Sequence, residues 1–480
     1  MTLKRKQQQG TIQPPCCLFV YRKRILYYCL CLFLLLWCLF YLRLSAADLH
    51  LVGTVSRVSL DSKQQAPSSR TGPSVQVIRA SQLRATNRTK RMLVNQEKFL
   101  SFHQCPVIPN DSTPQTTLVT QLSVERFWLV QETCQNRWKN DPMSVAIYFS
   151  STEEYEQYAD TFTRQLVRAK CRHVHLIYYI DDTTSSVGAD MVYPINLLRN
   201  LALETVQTSH VLVHDVDFVP AVHLTEDIRA AWAVRDIARR ATGTERKNEA
   251  LVVPALQTNL PPEMVSTLPN DDDDGNNNNR RLIPSTFDEA LLCLRTGLCR
   301  AFDENQNQAH GATRTDVWLQ RQWHHTLPCS STGKPMKDLR YVTCIDTPAY
   351  EPYLVVPWCP TAATTNDEGS IPAKRIVPYY DERFVGYGWN KIQYIHHLRY
   401  MGFLLWVVPA GFLVHVPHAP SASLEAFTFN RLPARQAYQA FETELQERFE
   451  WKLSNLRTCQ HWNKHFANMS YDDAFCKAYV

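Results

Sequence analysis

His210-Val-Leu-Val-His-Asp-Val-Asp-Phe-Val-Pro220 is the stretch from which the rest of the chain can be read. His210–Val213 has the length and apolar, β-branched character of a buried strand. Two carboxylates, Asp215 and Asp217, follow it with one residue between them. In open α/β sheets, ligands gather beyond the carboxyl ends of the strands. Carboxylates standing there can hold a divalent cation against substrate phosphates, an arrangement usual for Mn2+ or Mg2+. An isolated Asp-x-Asp says little, because most such pairs lie in solvated turns. Its weight here comes from the strand before it and from the elements around it.

Upstream, Ser144-Val-Ala-Ile-Tyr-Phe149 and Val174-His-Leu-Ile-Tyr-Tyr-Ile180 also read as buried strands, the second ending at Asp181-Asp182. Between them, Ser151 to Cys171 has helical spacing (Tyr155, Tyr158, Phe162, Leu166), and Ser151 with Glu154 forms a capping-box pair. A further helix opens at Pro194, a residue favoured at the first helical position, and leads into the strand before Asp215. Ser123 to Trp138 carries Phe127, Val130 and Cys134 at helical spacing. Strand, helix, strand, helix, strand in this order predicts a parallel α/β sheet. Downstream, strands are expected at 404–408 and 411–415, and Arg431 to Leu453 as an amphipathic helix packed on the domain. The acidic run Asp271–Asp274 lies in an insert, 269–280, that reads as a solvated loop; Thr361–Ala373 is a second insert.

The N-terminus decides the compartment. Ile25 to Leu42 is apolar, uncharged and about long enough to cross a bilayer. Lys4, Arg5, Lys6, Arg22, Lys23 and Arg24 precede it and only Arg43 follows closely, so the positive-inside rule places the tail in the cytosol and the rest in the lumen. A cleaved signal peptide fits less well, since the apolar run is long and no small-residue cleavage site clearly follows. The expected organisation is a cytoplasmic tail (1–24), a transmembrane signal anchor (25–43), a flexible stem (44–116), a catalytic domain (117–430) and a C-terminal helical extension (431–480). Seven of the 51 basic residues and none of the 46 acidic ones lie in 1–43, so the formal charge of +5 hides a near-neutral luminal part and argues against nucleic-acid binding. Sequons at Asn87, Asn110 and Asn468 all fall beyond the span, as this topology requires. So do ten cysteines, an even set that suggests disulfides without revealing their pairing.

Six segments occur in one order: Tyr193–Asn200, His214–Pro220, Val252–Ala255, Tyr350–Tyr353, Arg383–Lys391 and His415–Ser421. Together they resemble glycosyltransferase family 49, the family of the LARGE-type glucuronyltransferase domain and its single-domain β-1,4-glucuronyltransferase relatives. The resemblance covers roughly Leu118 to Phe449, and the sequence has room for one such domain. It implies a GT-A (Rossmann-like nucleotide-sugar transferase) fold, a UDP-sugar donor, a glycan or glycoprotein acceptor, Mn2+ or Mg2+, and a Golgi membrane location with the catalytic domain luminal.

By the same resemblance, Asp217 and Asp215 would hold the metal, with His415 as the third ligand and His418 as its competitor or a donor contact. Arg199 and Asn200 would lie near the nucleotide; an arginine fork suits a diphosphate. Gly386-Tyr-Gly-Trp389 suggests close backbone approach to a ligand and an aromatic face for a sugar, with a plain turn and a core tryptophan as the alternative. Asn390 is a further donor contact, and Lys391 suits a sugar carboxylate. An inverting transfer also needs a base for the acceptor hydroxyl. Some inverting GT-A enzymes carry an acidic pair after such a Gly-aromatic-Gly stretch; here Asn390-Lys391 stands there, leaving Asp316, Asp381 and Glu382 as candidates. Gln257, where relatives tend to carry an acid, leaves donors such as UDP-xylose or UDP-N-acetylglucosamine beside UDP-glucuronic acid. A silent glycan-binding protein and a secretory metallohydrolase are the competing classes. The first has no need of two carboxylates at a sheet edge, and the second needs more histidines around an open site.

Overall fold

A mainly parallel sheet holds His210–Val213, with one antiparallel strand beside it, and it recruits more of the chain than sequence periodicity indicates. The structure, a computed structural model, describes residues 73–85, 105–106, 108, 113–139, 141–182, 193–242, 248–260, 283–303, 309–319, 324–327, 336–342, 344–345, 347–359, 377–418 and 422–449. The expected span 25–43, the three sequons and both inserts lie outside the described residues. Among the described residues, no helix is long and apolar enough to cross a membrane.

In chain order the strands are β1 (Ser74–Arg79), β2 (Thr116–Ser123), β3 (Met143–Phe149), β4 (Val174–Ile180), β5 (His210–Val213), β6 (Phe218–Pro220) and β7 (Glu249–Val253). They continue as β8 (Ala255–Thr258), β9 (Cys299–Ala301), β10 (His324–Leu327), β11 (Met336–Leu339), β12 (Tyr353–Pro357), β13 (Leu404–Val407) and β14 (Leu413–His415). The large sheet has the order β1-β4-β3-β2-β5-β12-β7-β13. Neighbours from β1 to β5 are parallel, β12 enters antiparallel between β5 and β7, and β13 runs parallel to β7. Parallel strands need both faces covered, and every residue of β3 and β7 is buried. Helix Thr152–Arg168 covers part of one face with Ala159, Phe162 and Leu166. Ser151 caps it as expected, but the Glu154 carboxylate accepts from the Ser150 N–H rather than that of Ser151.

β1 belongs to the stretch expected to be a stem. It pairs with β4 from Ser74↔His175 to Arg79↔Ile180, so the folded domain reaches further upstream than Leu118. An edge strand is held largely by its backbone ladder; Val75 and Val77 remain more than 40% exposed, which leaves little apolar burial for a sequence pattern to reveal. Three disulfides resolve part of the cysteine set: Cys105–Cys359, Cys134–Cys171 and Cys293–Cys299. The C-terminal helix runs from Ala422 to Arg448, across the boundary expected at 431, and contains Pro433. A proline is disfavoured in a helix interior, which is why the sequence pattern starts beside it. Tyr438, Phe441 and Leu445 of this helix pack on Phe384, Ile392 and Tyr400.

A second sheet, β6-β14-β8-β9, stands beside the first. Since β5, β7 and β13 point the same way, the chain passes between the sheets three times at one carboxyl edge. The crossings are Asp215–Asp217, Pro254 and residues 408–412.

Candidate metal and donor site

The register of β14 brings two distant motifs together. His415 lies opposite Phe218 of β6 and also opposite Gln257 of β8. Just beyond, the Val416 N–H donates to the Asp217 carbonyl at 2.8 Å. Asp217, His415 and His418 thereby present ligand-capable atoms within 4.8 Å of one another. His418 Nε2 is 2.7 Å and His415 Nε2 3.5 Å from Asp217 Oδ2. Asp217 Oδ1 is buried with no hydrogen-bond partner among the described residues. Such an oxygen is costly unless a cation takes it, and one carboxylate with two imidazoles is a donor set that divalent transition metals accept. The residues therefore fit a divalent cation, which Asp217, His415 and His418 would hold. Burial alone would raise the Asp217 carboxyl, but hydrogen bonds from His415 and His418 and the nearby charges outweigh it and hold it well below the usual range. Arg126, from the turn after β2, adds to this charge: Nη1 is 3.5 Å from Asp217 Oδ2 and Nη2 3.3 Å from His418 Nδ1.

Asp215 does not join this trio. Arg199 Nη2 donates to its Oδ1 at 2.7 Å, while Lys391 Nζ and the Tyr353 hydroxyl donate to its Oδ2 at 2.9 and 3.0 Å. Both oxygens are thus engaged. Here too burial acts upward and is outweighed, chiefly by the Lys391 and Arg199 charges, so the carboxyl is held low. Arg199, expected at the nucleotide, is only 1% exposed and lies under Asp215, its Nη1 donating to the Asn196 and Asn390 side-chain carbonyls at 2.9 Å each. Asn200 is likewise internal. It donates to the Tyr380 carbonyl and Glu382 Oε1 and accepts from the Tyr380 N–H. Asn390 donates to the Gly386 carbonyl at 3.1 Å. Arg199, Asn200 and Asn390 therefore brace the 380–391 loop from below.

That loop needs its glycines, since Gly386 and Gly388 have φ of 65° and 90°. Trp389, also at positive φ (60°), is partly buried and packs on Tyr438 of the C-terminal helix with ring centroids 4.2 Å apart. Of the candidate bases, Asp381 is held by Arg383 through contacts of 2.6 and 2.9 Å, and Glu382 accepts from Asn200. Asp316 sits in helix Thr315–Leu319, and its side chain is outside the described set.

Sequence reasoning gave no role to Arg126, Glu351 or Tyr353. The last two lie inside the Tyr350–Tyr353 segment that carries the resemblance, so a signal was present for them; for Arg126 none was. Glu351 Oε2 is 3.8 Å from Lys391 Nζ. His310 is buried with its ring 5.7 Å from that of Tyr353, and burial holds its imidazole down at about 3.

Comparison with known proteins adds a family match. The family described as glycosyl-transferase for dystroglycan matches residues 157–450. The xylosyl- and glucuronyltransferase LARGE2 of Rattus norvegicus is 29% identical over 357 residues, covering 74% of this chain and 41% of the relative. Its Homo sapiens counterpart is 30% identical over 353 residues, covering 73% and 38%. The chain thus spans about two fifths of the length of these curated relatives. A solved structure of GalNAc-T7 with UDP, GalNAc and Mn2+ is 10% identical, covers 84% of this chain and 67% of that one, and has a TM-score of 0.35. That likeness is too slight to argue from.

Proposed function

The chain belongs to this glycosyltransferase family, and from that premise we propose that it is a metal-dependent, inverting transferase that moves glucuronic acid from UDP-glucuronic acid to a glycan hydroxyl. The observation that carries the reading is the Asp217–His415–His418 trio with its unpartnered buried oxygen, set at the carboxyl edge of a mainly parallel sheet. We read the domain as GT-A on the same ground. A divalent cation, Mn2+ or Mg2+, supplies charge neutralisation on the departing diphosphate when bound. The chain's own part is orientation. Arg126, beside Asp217 and His418, can turn its planar fork to diphosphate oxygens. Arg199 fixes Asp215, and Asp215 fixes Lys391 and Tyr353 at the same edge. The Lys391 ammonium favours a donor sugar that bears a carboxylate.

UDP-xylose or UDP-N-acetylglucosamine forms the second reading. It is favoured by Gln257, which faces His415 across the β8–β14 ladder and accepts from the Asp303 N–H at 3.3 Å. The charge asymmetry about 25–43 supports a type II Golgi anchor with the catalytic domain luminal, and the disulfides suit an oxidising lumen. Asn87, Asn110 and Asn468 would there carry N-glycans.

The test is UDP release by the purified chain with Mn2+, each of these three donors and a xylose-terminated acceptor. Acceptor-dependent release from one donor, abolished in Asp217→Ala, is the expected result. A chain that binds no UDP in the presence of Mn2+ is not a transferase of this kind, which favours the silent glycan-binding protein, whereas one that binds UDP without turnover lacks its acceptor in the assay.

A further inference from the structure

Most acidic side chains at this edge are already engaged. Asp217 belongs to the ligand trio. Asp215 accepts from Arg199, Lys391 and Tyr353, Asp381 is gripped by Arg383, and Glu382 accepts from Asn200. Glu351 differs. It stands two residues before Tyr353, the first residue of β12, and its backbone is fixed by an N–H bond to the Ala309 carbonyl at 2.8 Å. Its side chain is 27% exposed, and the nearest cation, Lys391 Nζ, is 3.8 Å away, beyond hydrogen-bond length. Neither carboxylate oxygen accepts a hydrogen bond from the described residues. Yet Glu351 is one lysine away from the motif, because the same ammonium is 2.9 Å from Asp215.

Resting on the transferase reading above, we infer that Glu351 is the general base of the reaction. As the acceptor O–H breaks, its proton passes to the Glu351 carboxylate and the freed electron pair forms the bond to the anomeric carbon. The bond from that carbon to the diphosphate breaks, and its electrons leave on UDP. Lys391 acts as a positioning residue, holding Glu351 and Asp215 on either side of one charge. Burial pushes the Glu351 carboxyl above its ordinary value, against the pull of Lys391. A base works deprotonated, so the rate falls as pH drops through that raised value. The acid limb of the profile therefore lies above the ordinary glutamate range.

The experiment uses the full chain with Mn2+, a xylose-terminated acceptor, and UDP-glucuronic acid, UDP-xylose and UDP-N-acetylglucosamine in turn. Glu351→Gln is expected to keep Mn2+-dependent UDP binding while kcat falls about 10²–10⁴-fold and the acid limb of kcat/KM disappears. Glu351→Asp recovers part of the rate. Azide, which has no proton to give up, restores donor turnover to Glu351→Ala. The inference is overturned if Glu351→Gln keeps a wild-type acid limb or most of its kcat. It is equally overturned if that limb vanishes in Asp303→Asn instead, since burial also raises the Asp303 carboxyl, which feels the same Lys391 charge, and Asp303 would then be the base. A wild-type chain that binds no UDP fails the transferase reading itself and this inference with it. A working wild type with an indifferent Glu351→Gln fails the inference alone.

Discussion

Asp215 and Asp217 stand two positions apart on one turn and meet opposite surroundings. Asp215 faces cations and a hydroxyl that engage both its oxygens; Asp217 faces two imidazoles and keeps one buried oxygen without a partner. The pair looks symmetric in sequence and is not symmetric in chemistry. A carboxylate already neutralised by Arg199 and Lys391 has little left to offer a cation, and its loss is felt by the fold. A carboxylate beside two imidazoles, with one oxygen still unpartnered among the described residues, has room for a cation, and its loss should be felt first in metal binding.

Substitutions can break or sharpen this contrast. The largest effect is expected for Asp217→Asn: Mn2+-dependent UDP binding, followed by calorimetry, weakens on the order of 10²-fold or more, with a smaller loss of metal-free stability as His415, His418 and Arg126 lose the charge they face. Asp215→Asn should do the reverse. It leaves Arg199, 1% exposed, buried without its carboxylate, at about 3–5 kcal/mol of stability by denaturant titration. Metal affinity of the surviving fold should fall by less than it does in Asp217→Asn. If both substitutions cost stability alike, the division of labour is wrong. Asp227, on helix Leu224–Thr242, sharpens the contrast from outside it. There burial wins over the His223 charge and pushes the carboxyl up to about 6. A raised carboxyl makes the folded state prefer the proton, so its cost to stability grows as pH rises from about 4 to about 6. Asp227→Asn should gain about 1 kcal/mol at pH 7.5, allowing for the side chain's partial exposure, and nothing below about pH 4. Melting curves at the two pH values read the difference.

What was legible in the sequence was local. β3 and β4 announce themselves through continuous apolar runs, and helix Thr152–Arg168 through its cap and one apolar face. Asp217 was legible because it follows a strand end, where an α/β sheet offers its ligand edge; His415, the last residue of β14, was reached through the family resemblance. Other partners are set by distance in the fold. His418 reaches Asp217 across 201 positions, and Lys391 reaches Asp215 across 176. No spacing rule says that Arg199 will turn inward to Asp215 or that Trp389 will stack on Tyr438. Both follow from packing against the 380–391 loop and the C-terminal helix. β1 was hidden for a different reason, since an edge strand with little apolar burial leaves almost no trace in composition.

The place of β12 in the sheet has a consequence for how the molecule comes into being. β12 separates β5 from β7, although it is made 100 residues after Val253 ends β7. At 5–20 residues per second, the growing chain spends roughly 5–20 s with β5 and β7 both made and the strand between them still missing. Two unpaired inner edges are exposed for that interval, the period when chaperone contact and strand mispairing matter most. Tyr353, the residue whose hydroxyl reaches Asp215, arrives with the missing strand, so the site is among the last parts to take shape. Cys359 follows two residues beyond β12, and its bond to Cys105 spans 254 positions. Trapping free thiols along the course of synthesis would therefore time the closing of the sheet, because that crosslink can be made only once the wedge is in.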